Sequence, residues 1–111
     1  NYYVVVRHRN HLAIMSSSAL SLSVEGGLYD FTTGQSKAYG TNGLKSVGSG
    51  FAMIGGDSDG DGGIGASDVV RIRAAIGSSS YDANDINMNG GVGTSDVNLT
   101  RTNIGQITQV P

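Results

Sequence analysis

Apolar positions along this chain change their rhythm near the middle. Tyr2 to Val6 is an unbroken aromatic and β-branched run, followed by the polar Arg7-His8-Arg9-Asn10 and then by Leu12 to Met15. Such residues fit a pleated backbone, so the region predicts one or two strands. The first of them is expected to be buried on both faces or paired with a segment beyond this chain. Leu20, Leu22 and Val24 alternate with Ser21 and Ser23, the period of two of a half-buried strand. Gly26-Gly27 predicts a turn, and Leu28 to Thr33 a further strand. Residues 34 to 50 are dominated by Gly, Ser, Thr and Asn and predict loop; Phe51 to Ile54 is a short apolar run ended by Gly55-Gly56.

The second half is an internal repeat. Asp57 to Asp68 and Asp85 to Asp96 align with an offset of 28 residues, which also matches Ile64 to Val92 and Arg73 to Arg101. A helix is predicted after each loop. Val69, Ile72 and Ile76 are followed by Gly77, and Val97, Thr100 and Ile104 by Gly105, where a helix C-cap glycine would sit. The chain is therefore expected to be α+β: an incomplete antiparallel β domain over 1–54, then a loop–helix pair over 55–111.

Composition narrows the chemistry. With 111 residues and no cysteine, the chain is one domain's worth, and neither disulfides nor thiol redox chemistry is available to it. The formal net charge is −2, but six of the nine acidic residues (Asp57, Asp59, Asp61, Asp68, Asp85, Asp96) lie in the two loops. The remainder carries seven basic residues against Glu25, Asp30 and Asp82, with no basic run, which excludes a nucleic-acid footprint. No stretch approaches the ~18 apolar residues of a membrane span. No signal peptide is present, and the strand-like opening at Asn1 suggests a mature or excised piece of a longer protein.

The loops have the chemistry of calcium sites. Calcium takes six to eight oxygen ligands, and a twelve-residue loop supplies them from positions 1, 3, 5, 7, 9 and 12. In the first loop these are Asp57, Asp59, Asp61, the Gly63 carbonyl, a water beside Gly65, and Asp68. In the second they are Asp85, Asn87, Asn89, the Gly91 carbonyl and Asp96. Gly62 and Gly90 allow the turn at position 6. Ile64 is expected to pair with Val92 across a short ladder. Four carboxylates against two make the first site the tighter, because affinity follows ligand charge. Two calcium ions would move the formal charge from −2 to +2.

Neither loop is preceded by a helical period, over Gly48 to Gly56 or over Gly77 to Asn84, so these are not ordinary EF-hands. A loop and following helix, twice, with Asp at position 12, resembles a type I dockerin. The residues that carry this are Gly56-Asp57-Ser58-Asp59-Gly60-Asp61-Gly62 with Asp68, and Asp85-Ile86-Asn87-Met88-Asn89-Gly90 with Asp96, within residues 55 to 105. The resemblance implies two antiparallel calcium-bound helices in an extracellular or cell-surface protein that docks to a cohesin-like partner. It also implies that loop positions 10 and 11, here Ala66, Ser67, Thr94 and Ser95, contribute to partner choice. Position 9 departs from the family's Asn or Asp, being Gly65 and Gly93. The first half, through Tyr3-Val4-Val5-Val6-Arg7-His8-Arg9-Asn10-His11-Leu12, Tyr29-Asp30-Phe31 and Ala38-Tyr39-Gly40, is similar to segments before dockerin-like repeats in Bacteroidetes-type surface proteins, which close a β-sandwich.

Other signals weigh less. Gly60-Asp61-Gly62-Gly63-Ile64-Gly65 fits a dinucleotide fingerprint, but no strand leads into it and its aspartates would repel a pyrophosphate. His8 and His11, three apart on a strand, are expected on opposite faces, which disfavours zinc. No Gly-x-Ser-x-Gly elbow accompanies the serines. The expected function is non-catalytic docking or anchoring; the alternative is a self-assembling surface or fibre subunit, in which Tyr2 to Val6 pairs with another copy.

Overall fold

Two small antiparallel sheets and two helices make up the regular structure, an α+β arrangement. The computed structural model describes residues 1–23 and 25–111; the expected strand position Val24 lies outside the described residues.

In the first sheet, β1 (Val5–His8) pairs with β2 (His11–Met15) across a tight turn at Arg9-Asn10. β2 dictates this hairpin. Leu12 and Ile14 alternate onto its inner face and are buried, so β1 must lie along its open side. Every residue of β1 is exposed, contrary to the expectation of a strand buried on both faces. It also starts three residues later than the apolar run. Ser16 ends the ladder by donating its N–H to the Val4 carbonyl, and Tyr2 meets only Leu20, in an isolated bridge.

Among the described residues, neither of the next two expected strands forms. Leu22 and Leu28 project outward, and the chain from Asp30 turns instead into two short 3-10 turns, Phe31–Thr33 and Gln35–Lys37. The reason is local. The Asp30 carboxylate accepts from the Thr32 N–H at 2.9 Å and the Thr32 hydroxyl at 2.6 Å, which offers the backbone an alternative to a sheet partner. Conversely, the expected loop over 34–50 contains half of a second hairpin. β3 (Lys45–Val47) pairs with β4 (Gly50–Ala52) around Gly48, whose φ of 57° suits the tight turn. Phe31, Phe51 and Met53 pack on the buried Ile14, Ala38 and Leu44 beneath it.

Both expected helices form, as α1 (Ala66–Ala75) and α2 (Thr94–Thr102). Val69, Ile72 and Val97 meet Ile86 and Val92 in one apolar cluster. Ile76 and Ile104, expected to extend the apolar stripes, lie past the helix ends and stand half exposed. Gly77 and Gly105 follow at φ 97° and 94°, the left-handed geometry of a glycine stop.

Ile64 and Val92 do not pair with each other. Ile64 exchanges backbone hydrogen bonds with Gly105 and Gln106, beyond α2; Val92 does the same with Gly77 and Ser78, beyond α1. The left-handed glycine after each helix points its N–H at position 8 of the opposite loop, at 2.9 Å in both cases, and this exchange consumes the groups a direct ladder would need. The repeat is thus a pseudo-twofold pair, each loop closed by its partner's helix.

The two halves of the chain interlock. Leu12 and Ile54 from before residue 55 share a buried cluster with Ile64. Thr108, near the C-terminus, donates from its N–H to the Gly62 carbonyl and from its hydroxyl to the Ala13 carbonyl, both at 2.8 Å. The loop–helix pair and the first hairpin therefore share packing. Among the described residues, no helix is long and apolar enough to cross a membrane.

Candidate metal centre

The first loop folds around its carboxylates. Asp57 accepts from the Asp61 N–H on Oδ1 (3.1 Å) and the Gly62 N–H on Oδ2 (3.1 Å). Asp59 Oδ1 accepts from Asp61 N–H (3.2 Å), and Asp61 Oδ1 from Gly63 N–H (3.0 Å). Asp68 spans the loop, taking the Gly65 N–H on Oδ2 (2.9 Å) and the Asp59 N–H on Oδ1 (3.3 Å). Each of these six bonds has a counterpart 28 residues on, with Asp85, Asn87, Asn89 and Asp96 as acceptors and distances from 2.9 to 3.2 Å. The sequence repeat is therefore a repeat of hydrogen-bond topology, in which side-chain oxygens at positions 1, 3, 5 and 12 turn toward the loop's own interior.

Position 12 has a second task. Asp68 and Asp96 are fully buried in the first turn of α1 and α2, where the helix dipole favours an anion. Gly65, expected beside a bridging water, and its counterpart Gly93 are the residues before each helix, and their N–H groups are held by these aspartates.

The ligand atoms of Asp57, Asp59 and Asp61 lie within 4.8 Å of one another, and this is the group of three such side chains that could hold a metal among the described residues. Burial pushes the Asp57 carboxyl up to about 6, reinforced by the Asp59 carboxyl and by the charges of Asp68 and Asp61, against the opposing Gly62 N–H. Burial acts in the same direction on Asp59, but the hydrogen bonds from Asp61 N–H, Asp57 and Ser67 together hold it below the usual carboxylate range. Without a counter-ion, this crowding makes Asp57 hold its proton to a higher pH than a free carboxyl does. The donors are hard oxygens, the set preferred by calcium or magnesium over softer metals.

Ala66, Ser67, Thr94 and Ser95 are all exposed, at the starts of the helices. The two serines are engaged inward. The Ser67 hydroxyl donates to Asp59 Oδ2 (3.2 Å), and Asn87 Nδ2 donates to the Ser95 hydroxyl (3.0 Å), turning the Asn87 oxygen away from the serine and toward Asn89 N–H. Position 11 thus orients position 3, a role invisible in the spacing alone. Met88 is a further residue whose part in the loop its sequence position does not signal. At position 4 it adopts φ 58°, where the first loop has Gly60 at φ 72°.

His8 and His11 lie on one face, not opposite faces. The turn between them places them directly across the hairpin, their rings 4.6 Å apart and edge-on, with Nδ1 atoms 3.1 Å apart. A spacing of three alternates faces only within a single strand, and here the chain makes two strands with a turn between them. Their Nδ1 atoms already have partners: Asn10 N–H donates to His8 Nδ1 (3.4 Å), and His11 Nδ1 lies 2.6 Å from Asn10 Oδ1. Burial and the neighbouring His8 bring His11 down to about 4, so it is neutral at pH 7, and its Nδ1–H donates to the asparagine.

Comparison with protein-family models, curated proteins and solved structures finds no match to this chain.

Proposed function

We propose that this chain is an extracellular, calcium-binding, non-catalytic docking module that holds two calcium ions and attaches a larger protein to a protein partner or to the cell surface. One observation carries the reading: the same six backbone-to-side-chain hydrogen bonds recur in both loops around inward-turned oxygens. A turn can be made with one Asx bond. Turning carboxylates together needs a compensating charge, and the first loop gathers Asp57, Asp59, Asp61 and Asp68. Asp57, Asp59, Asp61 and Asp68 with the Gly63 carbonyl would hold the first ion, and Asp85, Asn87, Asn89 and Asp96 with the Gly91 carbonyl the second. Calcium is present outside cells at concentrations that fill modest sites, hence the assignment to the exterior. The type I dockerin resemblance adds the docking role and a cohesin-like partner. Calcium titration by calorimetry and native mass spectrometry tests it: two ions per chain are expected, and a chain that takes none sinks the proposal.

The second reading is a calcium-stabilised, self-assembling surface or fibre subunit. It is favoured by the edge of β1 that has no partner strand among the described residues, where Val5 and Val6 are exposed, as are Tyr2 and Tyr3 just before the strand. Val5→Lys would then release subunits to monomers, whereas a parent chain already monomeric by sedimentation leaves docking as the reading.

A further inference from the structure

We propose that Asn10, at the tip of the first hairpin, is the positioning residue for the first ligand of both loops and so couples the two metal sites; this rests on the reading that the loops hold calcium. Asn10 has no exposed surface. Its carbonyl accepts from Gly56 N–H at 2.9 Å and from Asp57 N–H at 3.1 Å. Its side-chain nitrogen donates to the carbonyls of Ala83 at 3.1 Å and Asp85 at 3.0 Å. Asp57 and Asp85 are position 1 of their loops, 28 residues apart in sequence, and one residue from the other half of the chain grips the backbone of each.

The grip has a fixed orientation. An asparagine amide has two N–H donors and one oxygen, and a flip would exchange them. Here the oxygen is taken by the His11 Nδ1–H, so both N–H groups are committed to the carbonyls on the second loop's side. His8 takes the Asn10 backbone N–H. The buried polar groups of Asn10 are thus all partnered, and the histidine pair acts as its brace. A cation that draws the Asp57 carboxylate inward pulls on the same residue that holds the Asp85 backbone. Fixing position 1 of one loop fixes Asn10, and with it the backbone at position 1 of the other, so an ion in either loop raises the affinity of the other, and by linkage the two factors are equal.

A second connection runs through the exchange between position 8 of each loop and the glycine after the opposite helix. The test must separate the two. In the full chain, the first loop is disabled by Asp59→Ala with Asp61→Ala, which leaves Asp57 in contact with Asn10. The calcium affinity of the second loop is read by calorimetry with and without this change, in the parent and in Asn10→Ala and Asn10→Asp. Expected is a loss of at least about fivefold in the parent, the low end for coupled sites, and under twofold in the Asn10 variants. Equal losses in parent and variants overturn the proposal and assign the coupling to the position-8 exchange. No loss in the parent overturns it as well. A parent that binds no calcium overturns the calcium reading first. Should both variants fail to fold, the intact residue supplies the readout. In a chain disabled at the second loop by Asn87→Ala with Asn89→Ala, the Asn10 side-chain amide NMR signals must move as calcium fills the first loop. Unmoved signals overturn the proposal.

Discussion

Met88 occupies, at φ 58°, the place in the second loop that Gly60 occupies at φ 72° in the first. A left-handed backbone costs a residue with a side chain about 1–2 kcal/mol relative to the right-handed region. The Met88 side chain is more than half exposed and recovers little of that by burial. Met88→Gly is therefore expected to stabilise the chain by about 1 kcal/mol, less what glycine returns to the unfolded state in entropy. Gly60→Ala is expected to destabilise it by a similar amount. Urea denaturation of the two variants, metal-free, measures both, and equal midpoints would remove the strain argument.

Filling order follows charge. The first loop offers four carboxylates and the second two, and the Met88 strain acts in the same direction. Asp85→Ala is expected to leave one tight calcium site, and Asp57→Ala one weak one. Chelator should lower the melting temperature of the parent, since a ligand at a hundredfold excess over its Kd contributes about 2.7 kcal/mol. Calorimetry that finds the Asn-rich loop tighter would reverse the ranking.

Acid should act with opposite signs on the metal-free and calcium-loaded chain at Asp57. A carboxyl raised to about 6 in the fold contributes stability fully present below its unfolded value of about 3.9. That contribution is lost as pH rises through 6. Metal-free Asp57→Asn, which cannot ionise, is therefore expected to be more stable than the parent at pH 7, with the gap closing toward pH 4. With calcium bound the order inverts at pH 7, because the ion needs the carboxylate, and calcium affinity falls as pH drops below about 6. Denaturant midpoints for parent and variant across this range check both signs.

The apolar stripes of the helices are shorter than their spacing suggests. Ile72 has no exposed surface and packs with Val69, Ile86, Val92 and Val97, so Ile72→Ala is expected to cost about 3 kcal/mol. Ile76 stands half exposed past the end of α1, and Ile76→Ala should cost under about 1 kcal/mol. Similar costs at the two positions would mean that the helix continues through Ile76.

Local chemistry was legible in the residues themselves. The 28-residue repeat, the carboxylates within each loop, the glycines at position 6 and both helices need only nearby residues, because each rests on hydrogen bonds within one loop or one helix. What joins the parts was decided by tertiary structure. Ile64 and Val92 each carry the residue type a ladder would need, yet each is taken by the segment after the opposite helix. Leu22 and Leu28 have strand-like patterns but stand exposed, while the Asp30 side chain captures the Thr32 N–H and turns the chain. His8 and His11 share a face only because the chain reverses between them, and spacing cannot reveal a reversal. Asn10 reads as one polar residue in a polar stretch; its hold on Asp57 and Asp85 spans 47 and 75 residues, distances over which a pattern in sequence carries no information about contact.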